Sequence, residues 1–375
     1  MNKNSIVIGV GFGDECKGMT VNSLCNDPDN EMVIRFNSGH QCGHTVVHNG
    51  INHVFASFGS GTLKGVPTYI TEYCTVYPIA IIREAKALLE NGITPKIFFN
   101  VNAMVTTPFD IVQNHNVEAK NNHGTVGVGF GTTIQRNDDH YHLYVRDLFF
   151  PKILEAKLKN ILNYYHYVTP LNSKSQKHYD EFINACKEFV ATYAVIDRFK
   201  QIPNVRNKDL IFEGGQGIML DQEYGFFPNV TRSYTTSRNV MEFMFKYSLD
   251  TRKTKTYYVT RAYQTRHGHG YMSNEGMDIS YIKPNPNETN VDTGHQGVFR
   301  RTVLDLNLLI YALSCDNYYN PYSDKVLVIT CLDQVDDKTQ IPITANNELL
   351  KLSPDEIGHF LNINNVITCN SEEGF

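Results

Sequence analysis

Chemistry in this sequence gathers where acidic, cationic and imidazole side chains are set among glycines. The first such stretch is Gly9-Val-Gly-Phe-Gly13-Asp14-Glu15-Cys16-Lys17-Gly18. Glycines let backbone N–H groups close on phosphate oxygens, and a following helix offers its positive end. Lys17 adds a point charge. The Walker spacing GxxxxGK[ST] is missing, so the loop is not that motif, and taken alone it reads more readily as a tight turn. Asp14 shifts the balance, because a carboxylate inside an anion-binding loop is costly unless it holds a metal or moves a proton. The second stretch, Arg35-Phe-Asn-Ser-Gly-His40-Gln41-Cys-Gly43-His44-Thr45, carries two histidines in glycine turns. A single histidine is ordinarily a satisfied buried side chain. With a phosphate loop upstream and His40 beside it, His44 reads instead as functional. Further on, Phe212-Glu-Gly-Gly-Gln216-Gly217 sets an amide in a glycine run.

The elements around these turns follow from apolar periodicity. Ser5–Val10 is short, apolar and β-rich, which suits a buried parallel strand. Gly18–Cys25 reads as the first helix and Met32–Phe36 as the second strand. Ala80–Leu89, Lys152–Tyr165, His178–Ile196 and Leu304–Ser314 carry helical spacing. Lys96–Asn100, Leu210–Glu213, Thr256–Arg261 and Lys325–Thr330 read as strands. Alternating strands and helices predict an α/β fold: a central, mainly parallel sheet flanked by helices. With no repeat or low-complexity linker, residues 1–375 read as one large domain. Met272–Arg300, rich in Asn, Pro, Gly and Thr, reads as a long functional loop.

Composition narrows the classes. The chain has 375 residues, 41% hydrophobic and 19% charged, enough for a large core. A net charge of −5 argues against nucleic acid as partner. No apolar run reaches the length of a membrane span, and Met1–Ser5 does not open a signal peptide. The eight cysteines include no CxxC pair, which fits a reduced, cytoplasmic setting.

The glycine motifs then resemble, in order, the signature blocks of the adenylosuccinate synthetase family. Gly9–Gly18 is similar to its GDEGKG loop, Arg35–Thr45 to its NAGHT block, and Phe212–Gly217 with Pro228–Thr231 to its FEGAQG and YPxVT blocks. Thr330-Cys331-Leu-Asp333 stands where the family has TKLD, and Gly124–Leu148 matches its GTTGRGIGP region. The resemblance spans roughly residues 5–335 and implies the family fold and a homodimer. It also implies a two-step ligation. A carboxylate takes the proton from purine N1, the 6-oxygen attacks the γ-phosphate of a nucleoside triphosphate, and the amine of L-aspartate displaces phosphate from C6. Carried over residue by residue, Asp14 is the base and a Mg²⁺ ligand, with the carbonyl of Gly43 completing the metal shell. His44 stabilises the transferring phosphoryl. Gly13, Asp14, Glu15, Cys16, Lys17, Gly18, Gly43, His44, Thr45, Cys331 and Asp333 fall at triphosphate-binding positions. Asp14, Gln41, Thr125, Val126, Gln216 and Thr231 fall on the purine monophosphate. Thr293, Gly294 and Arg300 fall on L-aspartate, whose carboxylates suit bidentate arginine; that reading of Arg300 is favoured over a solvated charge pair at Arg300-Arg301.

Several positions depart from the family pattern. Val298 and Phe299 stand in an arginine run, His140-Tyr141 replaces an arginine pair that reaches the partner subunit's substrate, Gln41 replaces asparagine, and Val126 replaces threonine. Cys16 replaces a loop glycine. Cys331 replaces the lysine that helps select guanine, and Thr368-Cys-Asn-Ser371 stands at the second base-binding segment, so ATP or dATP is expected rather than GTP. The altered ribose side resembles the phage branch of 2-aminoadenine synthesis, which acts on dGMP; the setting would then be the host cytoplasm. Retention of Asp14 is unlike many members of that branch, so IMP stays open as the substrate. A non-catalytic nucleotide-binding paralogue is the alternative of another class.

Overall fold

Strands that read as unbroken apolar runs are strands covered on both faces, and all six such runs join three further strands in one nine-stranded sheet among the described residues. The computed structural model describes residues 3–121, 124–167, 170–193, 195, 196, 199, 202, 205–285, 288, 297–370, 374 and 375. The strands are β1 (Asn4–Gly9), β2 (Glu31–Arg35), β3 (Thr68–Ile70), β4 (Ile97–Phe99), β5 (Val195–Ile196), β6 (Asp209–Gly217), β7 (Thr254–Arg261), β8 (Asp324–Thr330) and β9 (Asn365–Thr368). Their order is β9-β8-β7-β1-β6-β2-β3-β4-β5, and every neighbouring pair runs parallel. This is the expected α/β sheet, with β1 near its centre.

The pleat sends alternate side chains to opposite faces. Ile6 and Ile8 of β1, Met32 and Ile34 of β2, and Leu327 and Ile329 of β8 enter one buried cluster. Val7, Val33, Val326 and Val328 enter a second cluster on the other face, with Met19 and Val21 of helix α1 (Lys17–Leu24). Each such side chain contributes about 1.5–3 kcal/mol when fully buried. A third cluster packs under β3 and β4, where Leu154, Leu158, Phe182 and Phe189 meet Ile97 and Phe99.

Two differences from the sequence reading have physical causes. The helix expected over His178–Ile196 runs Ser173–Thr192, and Val195–Ile196 pairs with Phe98–Phe99 as the outermost strand. Periodicity alone does not separate a short β-branched pair from a helix end. Leu210–Glu213 is longer than expected: β6 runs on through the glycine motif to Gly217. No helix among the described residues is long and apolar enough to cross a membrane.

Candidate active site

Ligand crevices of open parallel sheets lie outside the carboxyl ends of the strands. Here the turns after β1, β2, β7 and β8 and the end of β6 carry the glycine motifs other than Gly124–Leu148, on five adjacent strands. Backbone conformation opens the first turn. Gly13 has φ 113, a left-handed value, and a side chain there would meet open space. Asp14 (φ 32) and Cys16 (φ 67) are also left-handed, and Cys16 caps α1 with no side-chain hydrogen bond. The first N–H groups of α1 are thereby left for a ligand. Neighbouring strands hold the loop: Arg261 Nε donates to the Asp14 carbonyl at 2.5 Å and Thr330 Oγ1 to that of Glu15 at 3.2 Å.

Glu15 lies deepest. Its carboxylate accepts from Gly11 N at 3.1 Å, Gly13 N at 2.8 Å and Lys17 Nζ at 2.6 Å. Burial pushes this carboxyl above its usual range, against the pull of Lys17 and the Gly13 N–H. Burial also opposes the charge on Lys17, yet Glu15 holds its pKa above the ordinary value. The carboxylate of Glu15 thus shapes the loop from within.

His44 and Gly18 connect the first two motifs, since a side chain on Gly18 would lie 2.6 Å from His44 Cβ. The buried imidazole donates from Nδ1 to Glu213 Oε1 at 2.5 Å, and Nε2 meets Cys42 Sγ at 3.3 Å. Glu213 is fully buried in the middle of β6 and also accepts from the Ser60 N–H at 3.0 Å and from its hydroxyl. Burial disfavours its charge, but Arg35, His44 and Ser60 outweigh that and draw the carboxyl down to about 2. Burial likewise disfavours imidazolium, yet Cys42 and Glu213 raise the pKa of His44. The Cys42 thiol falls to about 7, with His44, Arg35 and Lys17 overcoming burial. A histidine held on one nitrogen by a buried carboxylate presents the other as an oriented donor to a phosphoryl group.

The purine-side residues are partly assembled. Gln216, left-handed at φ 52, bonds Ser38 through its amide oxygen. Gln41 accepts from Gly39 N at 2.9 Å, while its buried amide nitrogen has no hydrogen-bond partner among the described residues. Thr231 is held by its N–H to Leu220 O at 2.8 Å. Thr125 accepts from Asn114 at 3.2 Å, and with Val126 it lies on a separate segment. That segment reaches the Thr231 region through Arg232, which bonds Gln135 and, at 2.8 Å, Asp138.

Arg300 lies on a two-stranded ribbon, Gln264–His267 against Phe299–Thr302, directly opposite Arg266. Its guanidinium bonds Glu275 and, at 2.8 Å, the Gly270 carbonyl. Thr293 and Gly294 lie outside the described residues.

Cys331 and Asp333 follow β8. Cys331 is buried, with Sγ 3.7 Å from Cys16 Sγ, so these two expected triphosphate residues do meet. Cys331 draws Cys16 down to about 7 against burial, and its own thiol is pushed well up. Asp333 is half-buried with no hydrogen bond to its side chain among the described residues.

Three contributors escaped the sequence reading. Glu213 and Arg35 sit inside motifs but read as strand ends, though a charge in an apolar strand requires a partner. His267 has both ring nitrogens buried without partners among the described residues, and its Nε2 lies 3.8 Å from Asp14 Oδ2. The run of polar residues after β7 was the available signal for it.

Among the described residues no group of three His, Cys, Asp or Glu converges as a metal cage. The donors present fit Mg²⁺ all the same. That ion is usually held by one or two carboxylates, with water and substrate phosphates completing its shell. Asp14 offers a carboxylate that is 23% exposed and free of hydrogen bonds among the described residues, and Gly43 is exposed.

A family profile described as adenylosuccinate synthetase matches residues 6–364. Adenylosuccinate synthetase of Psychrobacter cryohalolentis is 31% identical over 295 residues, covering 74% of this chain and 66% of that protein. The chain therefore matches just under two thirds of that relative's length. Two solved structures share the fold. Fully ligated adenylosuccinate synthetase of Plasmodium falciparum has TM-score 0.75 and 18% identity, covering 99% of this chain and 98% of that one. Succinoaminodeoxyadenylate synthetase of cyanophage S-2L, bound to dGMP and to dATP as energy donor, has TM-score 0.62 and 13% identity, covering 100% and 94%.

Proposed function

This chain belongs to the adenylosuccinate synthetase family, and we propose on that premise that it is a purine nucleotide ligase. It couples L-aspartate to the 6-position of dGMP with ATP or dATP, giving N6-succino-2-amino-2′-deoxyadenylate, ADP or dADP, and phosphate. The observation that supports this most is the approach of α1, which follows the Asp14 loop, to His44 across the end of the sheet, with Glu213 of the intervening strand β6 holding the imidazole at 2.5 Å.

In the first step Asp14 accepts the N1 proton, which makes the 6-oxygen nucleophilic towards the γ-phosphate. Loop N–H groups, the N-terminal end of α1 and Lys17 hold the triphosphate. His44 donates from Nε2 to the transferring phosphoryl, where charge is greatest in the transition state. In the second step the α-amine of L-aspartate, its carboxylates taken by Arg300 with Thr293 and Gly294, displaces phosphate from C6. Gln41, Thr125, Val126, Gln216 and Thr231 orient the purine monophosphate. Mg²⁺, held by Asp14 and the Gly43 carbonyl, would neutralise phosphate charge. Residues 1–375 act as one domain, paired as a homodimer.

The preference for dGMP over IMP and for ATP over GTP rests on the departures at Val298, Phe299 and Cys331; the fold neighbour that binds dGMP and dATP is consistent with it. The IMP reading is favoured by curated relatives named adenylosuccinate synthetase at 29–31% identity. Phosphate release with L-aspartate and ATP, run with dGMP and with IMP in parallel, separates the two. The proposal expects release with dGMP; release with IMP alone identifies an ordinary adenylosuccinate synthetase. No release with either purine points to a nucleotide-binding paralogue.

A further inference from the structure

Cys16 and Cys331 are 315 residues apart in sequence, yet their sulfurs touch at 3.7 Å. Each sits on a left-handed residue (φ 67 and 59) that opens a helical turn: Cys16 opens α1 and Cys331 opens Leu332–Gln334. The two turns are already tied together, because the Thr330 hydroxyl, next to Cys331, donates to the carbonyl of Glu15, next to Cys16; the Leu332 N–H donates to the Cys369 carbonyl. A disulfide needs its sulfurs at about 2.05 Å, so from 3.7 Å each sulfur has to move by a little under about 1 Å. Cys331 is 8% exposed while Cys16 is half-buried, which leaves Cys16 as the sulfur an oxidant reaches.

We propose that Cys16 and Cys331 form a dithiol modification site, which hydrogen peroxide converts to an intramolecular disulfide that weakens nucleoside triphosphate binding. The Cys16 thiolate attacks one peroxide oxygen, the O–O bond breaks, and a sulfenic acid and hydroxide form. The Cys331 sulfur then attacks Cys16 Sγ; the S–S bond forms, the S–O bond breaks, and the hydroxyl leaves with the thiol proton as water. Two thiols and one peroxide thus give one disulfide and two waters. Contact between two cysteines in a chain without other disulfides matches the transient, redox-responsive class. The bond displaces the residue that caps α1, and with it the N–H groups facing the phosphates. This last consequence rests on the triphosphate assignment of the preceding subsection.

The test treats the full chain with hydrogen peroxide and maps peptides without reduction. A Cys16–Cys331 linked peptide, lighter by two hydrogens and reversed by dithiothreitol, is expected. It is lost in Cys16→Ser and in Cys331→Ser and kept in Cys369→Ser. Bound ATP slows its formation. Calorimetric titration of reduced and oxidised chain with MgATP reads affinity directly, with Kd expected to rise at least about tenfold on oxidation. Absence of the linked peptide from folded protein overturns the site, and a linked chain with unchanged Kd overturns its effect on binding. Failure of the reduced chain to bind ATP overturns the triphosphate assignment instead, since the cross-link is read from peptide mass alone.

Discussion

Glu213 is the carboxylate on which the imidazole of His44 depends, and its replacement has consequences in both stability and rate. Glu213→Gln leaves Arg35 and His44 buried beside a neutral amide, a change on the order of 3 kcal/mol at neutral pH. Because the folded-state carboxyl lies at about 2, below its ordinary 4.5, its stabilisation is full above pH 4.5 and is lost as pH falls towards 2. Urea denaturation of both proteins should therefore show a stability gap that is largest near neutrality and narrows on acidification below pH 4.5. At Cys331 the prediction concerns the triphosphate. Cys331→Lys restores a charged donor worth about 1.5–3 kcal/mol, and the ratio of kcat/KM for GTP over ATP should rise at least about tenfold. Asp14, Lys17 and His44 were legible in the sequence, because charged side chains among glycines have few structural uses. Glu213 was not, because its partner is 169 positions away and only the sheet brings them together.

At the scale of elements, the close packing of α1 on the turn after β2 is a requirement of the site. Gly18→Ala would put a methyl 2.6 Å from His44 Cβ and 2.9 Å from Ser60 Oγ. Stability should fall by about 1–3 kcal/mol, and kcat should fall with it as the imidazole is displaced. The ribbon Gln264–His267 and Phe299–Thr302 presents Arg300, so Arg300→Ala should raise KM for L-aspartate at least about tenfold while leaving KM for ATP within about twofold. The central strands were legible because both faces are apolar. The edge strand Val195–Ile196 and the ribbon were not: one is two residues long, and the other is closed by strands some 30 residues apart in sequence.

For the whole molecule, the parallel sheet explains why the motifs at residues 9–18, 35–45, 212–217 and 330–333 converge. Every strand ends on the same side, so five turns share one edge. Order of motifs was visible in the sequence; strand order was not, since β6 inserts between β1 and β2 after more than 170 intervening residues. The proposed homodimer is checked by light scattering, where twice the 42.7 kDa chain mass is expected and monomer at micromolar concentration contradicts it. The central claim is that the 6-oxygen of the purine is phosphorylated before it leaves. Turnover of purine monophosphate carrying ¹⁸O at the 6-position, with ATP and L-aspartate, tests it most directly. Phosphate released by the wild-type chain should carry the label and Asp14→Asn should release almost none; unlabelled phosphate accompanied by the succino product would contradict the account.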